Sequence, residues 1–195
     1  RASAFGPLQI MFPMVGTIDD IRAAKAVVNE VKEELRSQAI AFDEKIHVGI
    51  MIEIPSIGLI ADLAAKEVDF GSVGTNDLTQ YLHAVDRMNP AITSYYQSMA
   101  PSMFRILGQM FREFNKAGKP ISVCGELAGD HLGALVMFGL GLRKFSMNAA
   151  NISRVKRTLS LFTLEEAETI AKKVQNMDTE AEVIAYLKAE VEKRI

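Results

Sequence analysis

The sequence holds a single cysteine, Cys124, among 195 residues. An intrachain disulfide and any zinc site built from several thiolates are therefore excluded, and a lone thiol fits a reducing, cytoplasmic setting or a chemical use. A surplus of charge is missing as well. The 22 Lys and Arg against 24 Asp and Glu leave a formal charge of −2, so nothing in the balance favours nucleic acid or an anionic membrane as partner. Long hydrophobic runs are also absent: the longest strongly apolar stretch, residues 133–142, is about half of what a bilayer span requires, which argues against membrane insertion. The chain begins Arg1-Ala2-Ser3, without initiator Met or secretory leader pattern, and is expected to be an excerpt of a longer gene product. What is present is 49% hydrophobic residues, enough for one sizeable core.

Short apolar or β-branched runs at residues 8–14, 47–54, 69–73, 120–124 and 144–147 predict five strands, separated by stretches of helical period. Thr17-Ile18-Asp19-Asp20 is a capping box, and behind it Ile18, Ile21, Ala24, Val28, Val31 and Leu35 form the apolar stripe of a helix. Met103, Ile106, Leu107, Met110, Phe111 and Phe114 give a second helix, over 102–116, a core-facing stripe. Two further helices close the chain after Thr163 and Thr179, each with Glu three residues on.

The fold class is α/β. No glycine-rich phosphate loop follows the first strand, as a dinucleotide-binding doubly wound sheet would want. Polar residues sit instead at the carboxyl ends of successive strands, where (β/α)8 TIM-type barrels collect their active sites. A full barrel typically takes about 250 residues, so this chain is expected to form a partial barrel of about five βα units.

Four places carry candidate chemistry. Glu53 ends an otherwise apolar strand, where an ionised carboxylate is costly unless a cation or hydrogen-bond donors meet it. A salt-bridged or capping Glu is the ordinary alternative. Gly74-Thr75-Asn76-Asp77 packs amide, hydroxyl and carboxylate into one turn at a strand end, which a turn and helix cap explain equally well. On adjacent barrel strands, Glu53 and Asp77 would converge as hard oxygen ligands suited to Mg2+. Arg87 lies ten residues beyond Asp77, within reach of the same rim, where a guanidinium would grip an anion bidentately; a surface pair with Asp86 is the simpler account. Cys124 ends the fourth predicted strand; a lone Cys is most often a small buried hydrophobe, but near a metal or cations it can exchange a proton. His47, His83 and His131 show no metal-ligand spacing and are expected to be structural or exposed.

The stretch Gly71-Ser72-Val73-Gly74-Thr75-Asn76-Asp77-Leu78-Thr79-Gln80-Tyr81, continued by Ala84-Val85-Asp86-Arg87, resembles the phosphoenolpyruvate-binding barrel of the PEP-utilising enzymes. Met11-Phe12-Pro13-Met14, Gly49-Ile50-Met51-Ile52-Glu53-Ile54-Pro55 and Val123-Cys124-Gly125-Glu126-Leu127-Ala128-Gly129-Asp130 extend the likeness in the family's order over essentially the whole chain. Within the family the Enzyme I branch of the bacterial sugar phosphotransferase system is most similar. Pyruvate, phosphate dikinase usually has His and Gly where Leu127 and Ala128 stand, and PEP synthase differs more in the cysteine loop.

The resemblance implies Glu53 and Asp77 as Mg2+ ligands, Asn76 and the Asp77 backbone as PEP contacts, Arg87 on the phosphate, and Cys124 as proton donor to the enolate of pyruvate. It further implies a histidine acceptor in a separate N-terminal domain, onward transfer to the carrier HPr, and a homodimer formed through this barrel. Residues 1–195 would then be the carboxyl-terminal portion of the PEP-binding and dimerisation domain, catalytically dead alone, without the phosphohistidine and HPr-binding domains. Gly71 stands where a second Phe is usual, and Met88 where Gly commonly follows the arginine. Two other readings stay open: an association module only, and a metal-dependent aldolase or lyase on a related barrel, which Cys124-Gly125-Glu126 and Asp86-Arg87 disfavour.

Overall fold

In the computed structural model, which describes residues 1–195, the chain winds through β1 (Gln9–Phe12), α1 (Ile18–Ser37), β2 (His47–Ile52), α2 (Pro55–Leu59), α3 (Ala61–Glu67) and β3 (Phe70–Gly74). It continues through α4 (Thr75–Leu82), α5 (Pro101–Lys116), β4 (Ile121–Cys124), α6 (Glu126–Gly129) and α7 (His131–Gly139). Three outer helices finish it: α8 (Ala149–Leu159), α9 (Leu164–Val174) and α10 (Glu180–Glu192).

The four strands are parallel and lie in the order β1-β2-β3-β4. A doubly wound sheet reverses its direction of winding at a switch point; this one never does, and each crossover is helical. The outer helices follow in turn, α1 against α3, α3 against α5, and α5 against α7. Singly wound strands with a ring of helices outside make an arc of a (β/α)8 barrel.

Register explains which side chains face where. Ile50 pairs with Gly71, Ile52 with Val73, and Val73 with Val123, so these residues share the face turned to the helices, where Ile50, Ile52, Val73 and Val123 are buried. Phe114 of α5 presses on this face: a Cβ at Gly71 would come within 2.8 Å of its ring. The ring occupies the room that a side chain at position 71 would need. Phe104, Phe111 and Phe114 are fully buried, each contributing about 1.5–3 kcal/mol by removal from water. On the opposite face Met51 pairs with Ser72, Ser72 with Ser122, and Gly74 with Cys124. This is the lumen side of the arc.

Local signals start the helices as expected. The Thr17 hydroxyl accepts from the Asp20 amide at 3.2 Å while Asp20 Oδ2 accepts from the Thr17 amide at 2.8 Å, and Thr163 with Glu166 repeats the box on α9. Two elements differ from expectation. Residues 144–147 form no strand: Phe145 makes one parallel bridge to Val123, because the chain leaves a positive-φ turn at Gly141 and reaches the α8 cap at Asn148 after too few residues. Helix α4 starts at Thr75, inside what the sequence suggested as a turn over 74–77, with Gly74 as its cap, so Asn76 and Asp77 lie in its first turn.

Candidate active site

Buried polar side chains are the informative exceptions in a protein interior. There are five here, Glu53, Ser72, Thr75, Thr79 and Thr158, and all but Thr158 belong to the carboxyl ends of β2 and β3 or to α4 behind them. The polarity of the interior is therefore concentrated at one rim.

Glu53 follows β2 directly and is 6% exposed. Its Oε1 accepts from the Met14 amide at 2.8 Å, just past the end of β1, and no salt bridge in the molecule includes it. A Cβ on Gly74 would lie 2.9 Å from Glu53 Oε2 and 3.1 Å from Met51 Sδ, so only glycine leaves room there for the carboxylate to lie over the end of β3. One backbone donor is thin compensation for a charge withdrawn from water.

Asp77, in the first turn of α4, stands near the positive end of the helix and pairs with Arg87 at 3.4 Å. Both side chains are about one-third exposed, 34% and 38%, so the pair itself adds little stability, of order 0–1 kcal/mol. The partner of Arg87 is thus Asp77, not the neighbouring Asp86, whose carboxylate accepts from the Met88 amide. Asn76 Oδ1 accepts from the Glu126 amide at 3.0 Å, which orients the side chain and leaves its Nδ2 hydrogens for other acceptors.

Cys124, half-buried at the end of β4, is flanked by Met51 Sδ at 3.7 Å, Val73 O at 3.5 Å and Ser72 Oγ at 3.8 Å. Its carbonyl accepts from Thr75 Oγ1 at 2.8 Å. Glu53, Asn76, Asp77, Arg87 and Cys124 are therefore all gathered at one end of the sheet, linked through Gly74, Met51 and Thr75.

Sequence reasoning missed Tyr96, whose hydroxyl donates to the Asn76 carbonyl at 3.2 Å. Burial pushes its phenol above the usual tyrosine range, and the carboxylate of Glu126 pushes the same way against Arg87. It reaches the rim from the long connection between α4 and α5, for which no periodicity signals a destination. Met51 and Ser72 were given no role of their own either, although the alternation that puts Glu53 on the lumen face puts Met51 there too. The histidines fall outside the site: His83 bonds Thr79 O and Ser102 Oγ, His47 is exposed, and His131 sits by Arg154, with burial and that guanidinium holding it below the ordinary imidazole value.

A cleft of about 450 Å3 opens beside the thiol, lined by Asn76, Cys124, Gly125, Glu126 and Asn148 among others. A larger groove of about 1000 Å3 runs elsewhere, between α5 and α10, and holds none of the rim residues. Volume alone would choose the groove; convergent polar chemistry chooses the rim.

Residues 1–163 match the family model described as the PEP-binding domain of PEP-utilising enzymes. Curated relatives include phosphoenolpyruvate-protein phosphotransferases of Bacillus subtilis, 44% identical over 96% of this chain and 33% of the relative, and of Haemophilus influenzae, 44% identical over 94% and 32%. The chain spans about a third of the length of these relatives. Among solved structures, a citrate lyase from Burkholderia xenovorans LB400 superposes with a TM-score of 0.53 over 96% of this chain and 63% of that one, at 19% identity, a likeness of fold alone. No helix is long and apolar enough to cross a membrane. With the family model matched over most of its length and the collinear rim motifs in place, the chain belongs to the PEP-utilising enzymes, as their PEP-binding domain.

Proposed function

We propose that this chain is the PEP- and Mg2+-binding part of a phosphoenolpyruvate–protein phosphotransferase, the Enzyme I of the bacterial sugar phosphotransferase system. The phosphoryl group leaves PEP for a histidine outside these residues and passes on to HPr. The reading is supported by relatives of that name, at 44% identity over 96% of the chain. It is carried by one observation: Glu53, 6% exposed, has a single amide donor and no cationic partner, and faces the rim that also bears Asp77 and Cys124.

A buried carboxylate and a half-exposed one, with substrate oxygens completing the shell, fit the donor set of Mg2+, which accepts one or two carboxylates. Glu53 and Asp77 would hold the ion, which when bound supplies charge neutralisation at the phosphoryl oxygens. Arg87 leaves Asp77 for the phosphate, where a planar fork of donors matches two oxygens at once. Asn76, its carbonyl end tied to the Glu126 amide, presents Nδ2 to the anion. Cys124 then gives its proton to the methylene carbon of the pyruvate enolate, on a face lined by Met51 and Ser72. The half-buried thiol is partly shielded from water, which keeps that proton for carbon.

Isothermal titration tests the assignment. PEP binding is expected to require Mg2+ and to lose that dependence when Glu53 and Asp77 are both replaced by Ala. If the doubly substituted protein still binds PEP in a Mg2+-dependent way, the ligand assignment is wrong.

A second reading rests on a separate observation. Val27 and Val31 of α1 are exposed beside Ile10 of β1. Exposed apolar surface favours association, so the chain also serves as a homodimerising module. Light scattering at micromolar concentration decides: a well-behaved monomer counts against it.

A further inference from the structure

The first turn of α4 directs its side chains away from its own helix. Thr75 follows Gly74, a cap with no side chain to offer, and the Thr75 hydroxyl goes to the carbonyl of Cys124, 49 residues distant in sequence, at 2.8 Å. Next to it Asn76 Oδ1 takes the Glu126 amide at 3.0 Å. Gly125 is wedged between the two bonds. At φ +102° it has a conformation that L side chains rarely adopt, and a Cβ there would lie 2.5 Å from Thr75 Oγ1 and 2.9 Å from Asn76 Oδ1. Both neighbours of Gly125 are thus fastened to α4, with no slack between them.

The thiol has no comparable restraint of its own. Its contacts with Met51 Sδ, Val73 O and Ser72 Oγ, at 3.5 to 3.8 Å, are weak sulfur contacts. Where Sγ points is set by the backbone of residues 124–126, which the ladder with β3 holds up to Cys124 and which Thr75 and Asn76 hold where the strand ends. Thr75 is 1% exposed and its hydroxyl proton is committed, so it does not touch substrate.

We propose that Thr75 is a positioning residue for Cys124: its hydroxyl straps the cysteine turn to α4 and so fixes the direction of the thiol. The functional meaning of the strap rests on the reading of Cys124 as proton donor; the strap itself does not.

Because Cys124 is the sole cysteine, iodoacetamide reports on it alone. Alkylation of the intact chain is followed by mass spectrometry at fixed pH, with circular dichroism as the check on folding. Thr75→Val removes the hydroxyl at nearly constant volume. It is expected to speed alkylation severalfold, up to about tenfold, the population shift that loss of one hydrogen bond allows; Thr75→Ser is expected to restore the original rate. A folded Thr75→Val protein with the original rate overturns the proposal. Should that variant not fold, Thr75→Ala carries the same expectation. A separate result bears on the proton donor: if Cys124→Ser in the full-length enzyme still catalyses deuterium uptake into the pyruvate methyl group, that reading fails while the strap stands.

Discussion

A carboxylate that is 6% exposed and meets one amide is unfavourable unless something positive arrives, so Glu53 should trade stability for binding. Glu53→Gln keeps an oxygen for the Met14 amide and removes the charge. Its melting temperature is expected to equal or exceed that of the parent, while Mg2+-dependent PEP binding weakens; calorimetric melting and titration on the same sample check both halves. Arg87 has the opposite logic. Its only ion-pair partner is Asp77, which is also the proposed metal ligand. Arg87→Gln should weaken PEP binding by about ten- to a hundredfold, the value of a charge-assisted contact of roughly 1.5–3 kcal/mol. It should leave Mg2+ binding in the absence of PEP unchanged or tighter, because Asp77 then has no competing cation. Weaker Mg2+ binding by the variant would contradict the exchange of partners.

Between elements, the tolerances are set by close approach and by caps. Gly139 ends α7 where α9 crosses: a Cβ there would lie 2.0 Å from the Ala167 carbonyl oxygen, a backbone atom that cannot swing aside. Gly139→Ala is expected to push the two helices apart and lower stability by about 1–3 kcal/mol or more, read as a fall in melting temperature. The caps give the fold an acid sensitivity. Amides of Gly16 and Thr17 and the Thr17 hydroxyl hold Asp20 below its ordinary value of 3.8, and the Thr163 amide, then Arg194, does the same for Glu166 from 4.5. A carboxylate with a lowered folded pKa adds stability that is complete above the unfolded value and is lost as pH falls through the folded one. Asp20→Asn combined with Glu166→Gln should therefore lower the melting temperature at neutral pH, with the difference from the parent shrinking below about pH 4.

At the scale of the whole molecule, one flank of α1 carries uncovered apolar surface. Ile21 and Leu35 of its stripe are buried, but Val31 is 47% exposed and Val27, next to the stripe, 55%, both beside Ile10 of β1. Val27→Lys with Val31→Lys should reduce self-association in light scattering while changing stability by no more than about 0.5 kcal/mol each, the usual range for exposed positions. Unchanged association would put the contact surface elsewhere.

Period and punctuation in the chain were enough for four of the five expected strands and for the capped helices. The capping boxes at Thr17 and Thr163, the stripe of α5 and the buried strands β2, β3 and β4 all follow from local patterns, because a helix or strand must present one apolar face whatever it packs against. The same patterns placed Glu53, Asn76, Asp77 and Cys124 at strand or turn ends, while Arg87 was assigned its role by the family resemblance. Their mutual arrangement was decided only by tertiary structure. That Arg87 meets Asp77, that Thr75 and not Cys124 itself restrains the cysteine turn, that Tyr96 returns to the Asn76 carbonyl and that residues 144–147 shrink to one bridge are all contacts between segments far apart in sequence. Such contacts depend on strand register and loop path: a one-residue shift of register would turn Met51, Ser72 and Cys124 to the other face of the sheet.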